Sequence, residues 1–112
     1  MSESKIFVVS SEIEPIVVRE GVQRRCLVWS DDTMIAEWSI DKGLEMLWHS
    51  HPDEQVGYVV KGRIELIIGE EKKVLEAGGA YYVPPNVPHG GRVLESSVTI
   101  DVYSPVREDF KP

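Results

Sequence analysis

Cysteine occurs once in this chain of 112 residues and histidine three times, and 12 lysines and arginines stand against 19 acidic residues for a formal net charge of -7. Each scarcity excludes something. Cys26 alone cannot close an internal disulfide, so the core has to hold the fold, and a chain this long can bury enough surface to do so as one domain, 1–112. The basic residues never run beyond pairs such as Arg24-Arg25 and Lys72-Lys73, which leaves no positive footprint for nucleic acid or for an anionic membrane. No apolar run approaches the roughly 20 residues of a membrane span, and the start Met1-Ser2-Glu3-Ser4 lacks the blocks of a signal peptide. A cytoplasmic protein with neither a nucleic-acid nor a membrane partner is expected. Within Arg25-Cys26-Leu27-Val28-Trp29, Cys26 reads as a buried strand position, although the neighbouring Arg25 leaves a reactive thiol as the other reading.

Helical periodicity is also nearly missing. What is present are short apolar segments rich in β-branched and aromatic residues, interrupted by Gly, Pro, Asn or Asp, and this is an all-β pattern. Strands are expected over Lys5–Val9, Ile16–Val18, Gln23–Trp29, Met34–Ile40, Glu45–Ser50, Val56–Lys61, Arg63–Gly69, Lys72–Leu75, Ala80–Val83, Gly91–Leu94 and Ser97–Tyr103. Turns such as Asp41-Lys42-Gly43, Lys61-Gly62-Arg63 and Ala77-Gly78-Gly79 separate them. So many short strands imply a sandwich or a barrel. Met34, Ala36, Trp38 and Ile40 share one face of their strand, whereas in the last strand Ser97, Thr99, Asp101 and Tyr103 make a polar face opposite Val98, Ile100 and Val102. That polar face looks either to solvent or into a ligand-holding lumen.

All three histidines fall in two segments, Gly43-Leu44-Glu45-Met46-Leu47-Trp48-His49-Ser50-His51-Pro52-Asp53-Glu54-Gln55 and Pro84-Pro85-Asn86-Val87-Pro88-His89. His49 and His51, two apart on a strand, point to the same side, and His89 can add a third nitrogen. Gln55 can add an oxygen. Three imidazoles and one oxygen, with positions left open, suit one divalent first-row ion such as Zn, Ni, Fe, Mn or Co. On the last strand, Asp101 and Tyr103 lie on the polar face and Arg107 follows Pro105. They read as proton-transfer and carboxylate-binding groups if that face lines a lumen, or as a solvated edge with Arg107 paired to Glu108 or Asp109 if it does not. Trp29, Trp38 and Trp48 read as core residues rather than substrate platforms, with Trp48 turned away from the ligand side of its strand. Tyr81 and Tyr82 point opposite ways, one of them toward a lumen.

Gly43, five residues, His49-Ser50-His51, three residues, Gln55, six residues and Gly62 resemble the first motif of the cupin superfamily, of the conserved-barrel type. Gly78, five residues, Pro84-Pro85-Asn86-Val87-Pro88-His89 resembles the second. The resemblance implies a small antiparallel double-sheet jelly roll in which His49, His51, Gln55 and His89 are metal ligands. Two positions depart from it. Gln55 stands where glutamate is usual, which removes a negative charge from the site and weakens the case for a dioxygenase that needs a carboxylate ligand. Asn86 stands where glycine is usual, and Asn tolerates the left-handed conformation better than most residues. The combination His-Ser-His-Pro-x-Glu-Gln, Pro-Pro-Asn-Val-Pro-His and Asp-x-aromatic-x-Pro-x-Arg-Glu-Asp-Phe looks like the short pectin-degradation cupins, which open ring-form unsaturated uronates to the linear keto form. That likeness implies a sugar-acid ligand, with Asp101, Tyr103 and Arg107 around it, Tyr103 standing where phenylalanine is usual. A metal-dependent oxygenase and a non-catalytic small-molecule binder are the other classes in play. A homodimer is expected, because the apolar segment Ile6-Phe7-Val8-Val9 suits covering a neighbour's sheet.

Overall fold

The computed structural model describes residues 3–112. Eight strands follow in chain order: β1 (Ile16–Arg19), β2 (Val22–Trp29), β3 (Met34–Ile40), β4 (Glu45–His49), β5 (Glu54–Ile68), β6 (Glu71–Glu76), β7 (Ala80–Val83) and β8 (His89–Ser104). A single 3-10 turn, Ser10–Glu12, precedes them and another, Glu108–Phe110, follows. No helix among the described residues is long and apolar enough to cross a membrane.

The two long strands organise the rest. β5 and β8 pair antiparallel along their whole length, from Glu54↔Ser104 to Ile68↔His89. The far edge of β5 takes β7 on its first half and β6 on its second. The far edge of β8 takes β4 beside His89 and β3 beside Tyr103, and β2 and β1 extend outward from β3. Midway, the β5–β8 register shifts repeatedly between Val59 and Ile64. Such bulges bend a strand pair, so the two halves of the ladder turn toward one another as the two sheets of a small barrel and enclose a cavity lined from both.

Lys61-Gly62-Arg63, expected as a turn, is this bend inside a continuous strand. Gly62 has a φ of 97° and sits so close to β8 that a Cβ there would lie 2.2 Å from the Ser97 hydroxyl oxygen. The Arg63 amide donates to that oxygen at 3.0 Å. A bulge and a hairpin turn ask for the same left-handed residue, which is why composition alone reads one as the other. Lys5–Val9, expected as a strand, is irregular, with Ile6 and Phe7 85% and 89% exposed. β propensity without a partner ladder does not make a strand.

Register settles which way the alternating faces point. The pairs Met34↔Tyr103, Ala36↔Asp101, Trp38↔Thr99 and Ile40↔Ser97 face inward, so the polar face of β8 is the lumen and its apolar residues Val98, Ile100 and Val102 lie outside. Apolar packing is divided between two clusters. Val22, Ile40, Val59, Ile64 and Val93 form one, and Cys26, Met34 and Val106, with Trp29 and Phe110 against them, form the other.

Burial pushes the Cys26 thiol from its ordinary 9.0 up to about 11, against a smaller opposing pull from Arg24 and Lys111. The fold therefore favours the protonated thiol, and the stability this group contributes is complete below pH 9 and lost as pH rises toward 11. At pH 8 its thiolate fraction is lower than that of the unfolded chain by about a hundredfold. Alkylation by iodoacetamide is expected to be at least that much slower in native than in urea-unfolded protein; equal rates would overturn the inert-core assignment.

Candidate metal centre and ligand cavity

His49 ends β4 and His89 begins β8, and the two are direct cross-strand partners, which brings their ring centroids to 4.3 Å. His51 follows in the short connection to β5, its ring 5.0 Å from that of His89 and 5.6 Å from that of His49. The backbone of this connection is tied to the second motif, since the Asn86 amide donates to the His51 carbonyl at 2.8 Å. Asn86 has a φ of 64° and is the one non-glycine residue in the left-handed region among the described residues, as its place in the motif requires. His51 and His89 are buried and His49 is exposed.

Each ring uses Nδ1 on a nearby backbone carbonyl: His49 on Leu47 at 2.7 Å, His51 on Asp53 at 2.8 Å and His89 on Val87 at 2.9 Å. A carbonyl only accepts, so Nδ1 carries the hydrogen in all three, which leaves Nε2 as the nitrogen of each ring able to offer a lone pair to a metal. Burial holds the His89 pKa below the ordinary range, the Val87 carbonyl opposing in part, which favours that neutral form. The ligand atoms of the three histidines lie within 4.8 Å of one another.

The fourth donor is aimed by a chain of contacts. Asp101, 1% exposed, accepts hydrogen bonds from Thr99 Oγ1 at 2.7 Å, from the Tyr81 hydroxyl at 2.7 Å and from Gln55 Nε2 at 2.6 Å. With its amide nitrogen given to the carboxylate, Gln55 turns Oε1 to His51 Nε2, 3.1 Å away. Two acceptors then face each other. A neutral Nε2 and an amide oxygen repel unless a cation lies between them, so the donor set fits a divalent metal held by His49, His51, His89 and Gln55 Oε1. Burial raises the Asp101 pKa, while the bonds from Tyr81, Gln55 and Thr99 work against that rise.

Asp101 and Tyr103 both line a cavity of about 420 Å³, within the range of small-ligand sites. The Tyr103 hydroxyl accepts from Trp38 Nε1 at 3.1 Å, and burial pushes its pKa well up, so it stays a phenol with a proton to donate. Trp38 packs against the core cluster, as expected, and is also part of the cavity wall. Arg107 reaches the same wall but is bidentate to Asp109 at 3.0 and 3.1 Å and lies 3.3 Å from Asp53. The pairing with Asp109 expected for a surface Arg107 and the cavity position expected for a ligand-binding one therefore coexist.

The sequence puts one of Tyr81 and Tyr82 toward a lumen without saying which, and it does not single out Arg24. Tyr81 is the inward member of the Tyr81-Tyr82 pair, and its contact with Asp101 depends on Gly57, the cross-strand partner of both. A Cβ at Gly57 would lie 2.1 Å from the Tyr81 ring, so only glycine lets the phenol cross the strand to the carboxylate. An isolated glycine inside a strand was the available signal. Arg24 lines the cavity from β2 and carried no motif at all.

Tyr81→Phe removes one of three donors from a buried carboxylate, a loss of about 1.5–3 kcal/mol for a charged hydrogen bond. Urea unfolding is expected to show a lower midpoint with an unchanged slope. A shift within experimental error would mean that Asp101 is neutral and has no need of the phenol.

A model of the cupin domain matches residues 36–103. The chain is 40% identical over 93 residues to the pectin degradation protein KdgF of Dickeya dadantii (strain 3937), covering 81% of this chain and 84% of that protein. Among solved structures, KdgF from Halomonas sp. superposes with a TM-score of 0.91 at 33% identity, covering 96% of this chain and 100% of that one. An RmlC-like cupin from Shewanella frigidimarina NCIMB 400 gives 0.94 at 35% identity, over 99% and 100% of the two chains. The matched stretch begins in β3 and ends at Tyr103, taking in all three imidazoles, Gln55 and Asp101, and by that match the chain belongs to the cupin domain family.

Proposed function

We propose that this protein opens an unsaturated uronate ring to the linear keto form, the reaction implied by its likeness to the pectin-degradation cupins and supported by its similarity to pectin degradation protein KdgF. The observation that carries the reading is the convergence on one cavity of three imidazoles, a buried carboxylate and a buried phenol. A divalent Zn, Ni, Fe, Mn or Co ion on His49, His51, Gln55 and His89 supplies Lewis-acid polarisation of a substrate oxygen. Asp101 takes the proton of the anomeric hydroxyl as the bond from that carbon to the ring oxygen breaks. The electron pair stays on the ring oxygen, Tyr103 protonates it to an enol, and transfer of the proton from Asp101 to the far carbon of the enol yields the ketone. The enol hydroxyl proton returns to Tyr103, so substrate and product are isomers and nothing is oxidised. Arg107, with Nε and Nη2 already on carboxylates, keeps Nη1 for the substrate. A neutral Gln55 in place of a carboxylate ligand counts against the oxygenase reading. The reaction is assigned to the cytoplasm, where a lone thiol such as Cys26 stays reduced.

The proposal includes a homodimer. The outer faces of β5, β7 and β8 place Val56, Tyr58, Val60 and Tyr82, each about half exposed, beside Val98, Ile100 and Val102. An apolar patch of this kind is covered by a partner, and a second copy presents the same patch across a twofold axis. The parent is expected to scatter light as a dimer at micromolar concentration and Tyr58→Glu as a monomer; a monomeric parent would refute this assembly.

The reaction is tested by following an unsaturated galacturonate by NMR with metal-loaded protein. Asp101→Asn is expected to retain the metal and lose turnover by about a hundredfold or more. No turnover by the parent with any of the five metals, or parental turnover by Asp101→Asn, would overturn it.

A further inference from the structure

Arg24 stands on β2 between the inward-facing Val22 and Cys26 and opposite Trp38. Its Nε is buried without a hydrogen-bond partner, and its guanidinium makes no ion pair among the described residues. Every other arginine has one or the other: Arg25 with Glu37, Arg63 with Glu76, Arg92 with Glu65, Arg107 with Asp53 and Asp109, and Arg19 with the carbonyl of Glu45. In a chain with 19 acidic residues, an arginine that ion-pairs directly with none of them is not short of candidates, and Asp109 acts on it only through space. What meets it instead are aromatic faces, with Phe110 4.1 Å and Trp38 5.5 Å from the guanidinium carbon. Ring faces attract a cation but accept no in-plane N–H hydrogen bonds, so the fork is held flat and keeps its donors.

We propose that Arg24, walled by Trp38 and Phe110, is a carboxylate-binding subsite of the cavity and sets its preference for anionic ligands. The desolvation that comes with burial lowers the Arg24 pKa, which is the strain an incoming anion relieves. Arg107 is less suited to the same role, because a ligand carboxylate approaching it meets Asp53 and Asp109 already paired to it, whereas Arg24, which feels Asp109 only without a direct ion pair, has no such contact to displace. Trp38 links the subsite to the chemistry, because its Nε1 bonds Tyr103, whose ring centroid is 6.2 Å from that of His51. A ligand is thus oriented with its carboxylate at the Arg24 end and its oxygens toward the imidazoles. This deepens the uronate reading, but the subsite is defined by binding and survives if the reaction is something else.

The test is calorimetric titration of parent, Arg24→Met and Arg107→Gln proteins with D-galacturonate and with D-galactose, which differ in one carboxylate. The parent is expected to prefer galacturonate by about tenfold or more, the size of one charge-assisted contact. Arg24→Met should bind galacturonate no better than galactose, leave galactose affinity unchanged, and melt at the parental temperature or higher, since a half-buried charge without an ion pair has been replaced by an apolar group of similar length. Arg107→Gln should keep the preference. If the preference persists in Arg24→Met, is lost in Arg107→Gln alone, or is absent from the parent up to the solubility of the sugars, the subsite is wrong. If Arg24→Met melts lower and loses both sugars together, Arg24 is a packing residue and the proposal also falls. A galacturonate preference that depends on Arg24 in a protein that turns over no unsaturated uronate would keep the subsite and remove the reaction.

Discussion

A carboxylate cannot be sealed inside a barrel without donors, and the three that meet Asp101 come from three strands: Thr99 on β8, Gln55 on β5 and Tyr81 on β7. The requirement fixes more than the carboxylate. Donation from Gln55 Nε2 decides which way its amide points, and so decides that an oxygen rather than a nitrogen faces His51. The metal donor set is completed by a residue that is not itself a ligand. The same network ties the second sheet position of β7 to the β5–β8 ladder, so site geometry and strand pairing rest on one buried charge.

Outside the lumen the usual distribution of side chains is inverted along β8. Ser97, Thr99 and Asp101 are buried while Val98, Ile100 and Val102 reach the outer surface. A barrel that spends its interior on polar chemistry has less apolar contact inside, and its hydrophobic packing is divided between two clusters rather than gathered in one mass. The outer apolar sheet is then a remaining source of hydrophobic burial, available only between molecules.

The part of the site written in the sequence is the part with rigid spacing. His49, His51, Gln55 and His89 could be read because alternation along a strand and proline-stiffened loops convert residue number into direction. Asn86 could be read because backbone angles restrict residue type. The expected β5 was broken in two because Gly62 looks the same whether the chain reverses or bends, and the expected β8 was broken in two at the exposed polar pair Glu95-Ser96. Arg24 could not be assigned, nor could the lumen-facing member of Tyr81-Tyr82, since an inward polar residue and a solvated one have the same period, and only cross-strand register tells them apart. Register joins residues such as Arg24 and Trp38 that the linear chain keeps well apart.

Gly57 contributes no side chain, yet the Tyr81 ring lies in the space where its Cβ would stand. One added methyl group would evict the phenol, strip a donor from Asp101 and change the shape of the cavity in the same event. A single nucleotide change in a glycine codon suffices to introduce that methyl group. On this scaffold one substitution thus separates a lumen whose buried carboxylate has three donors from a plainer pouch, with no residue at the three imidazoles replaced.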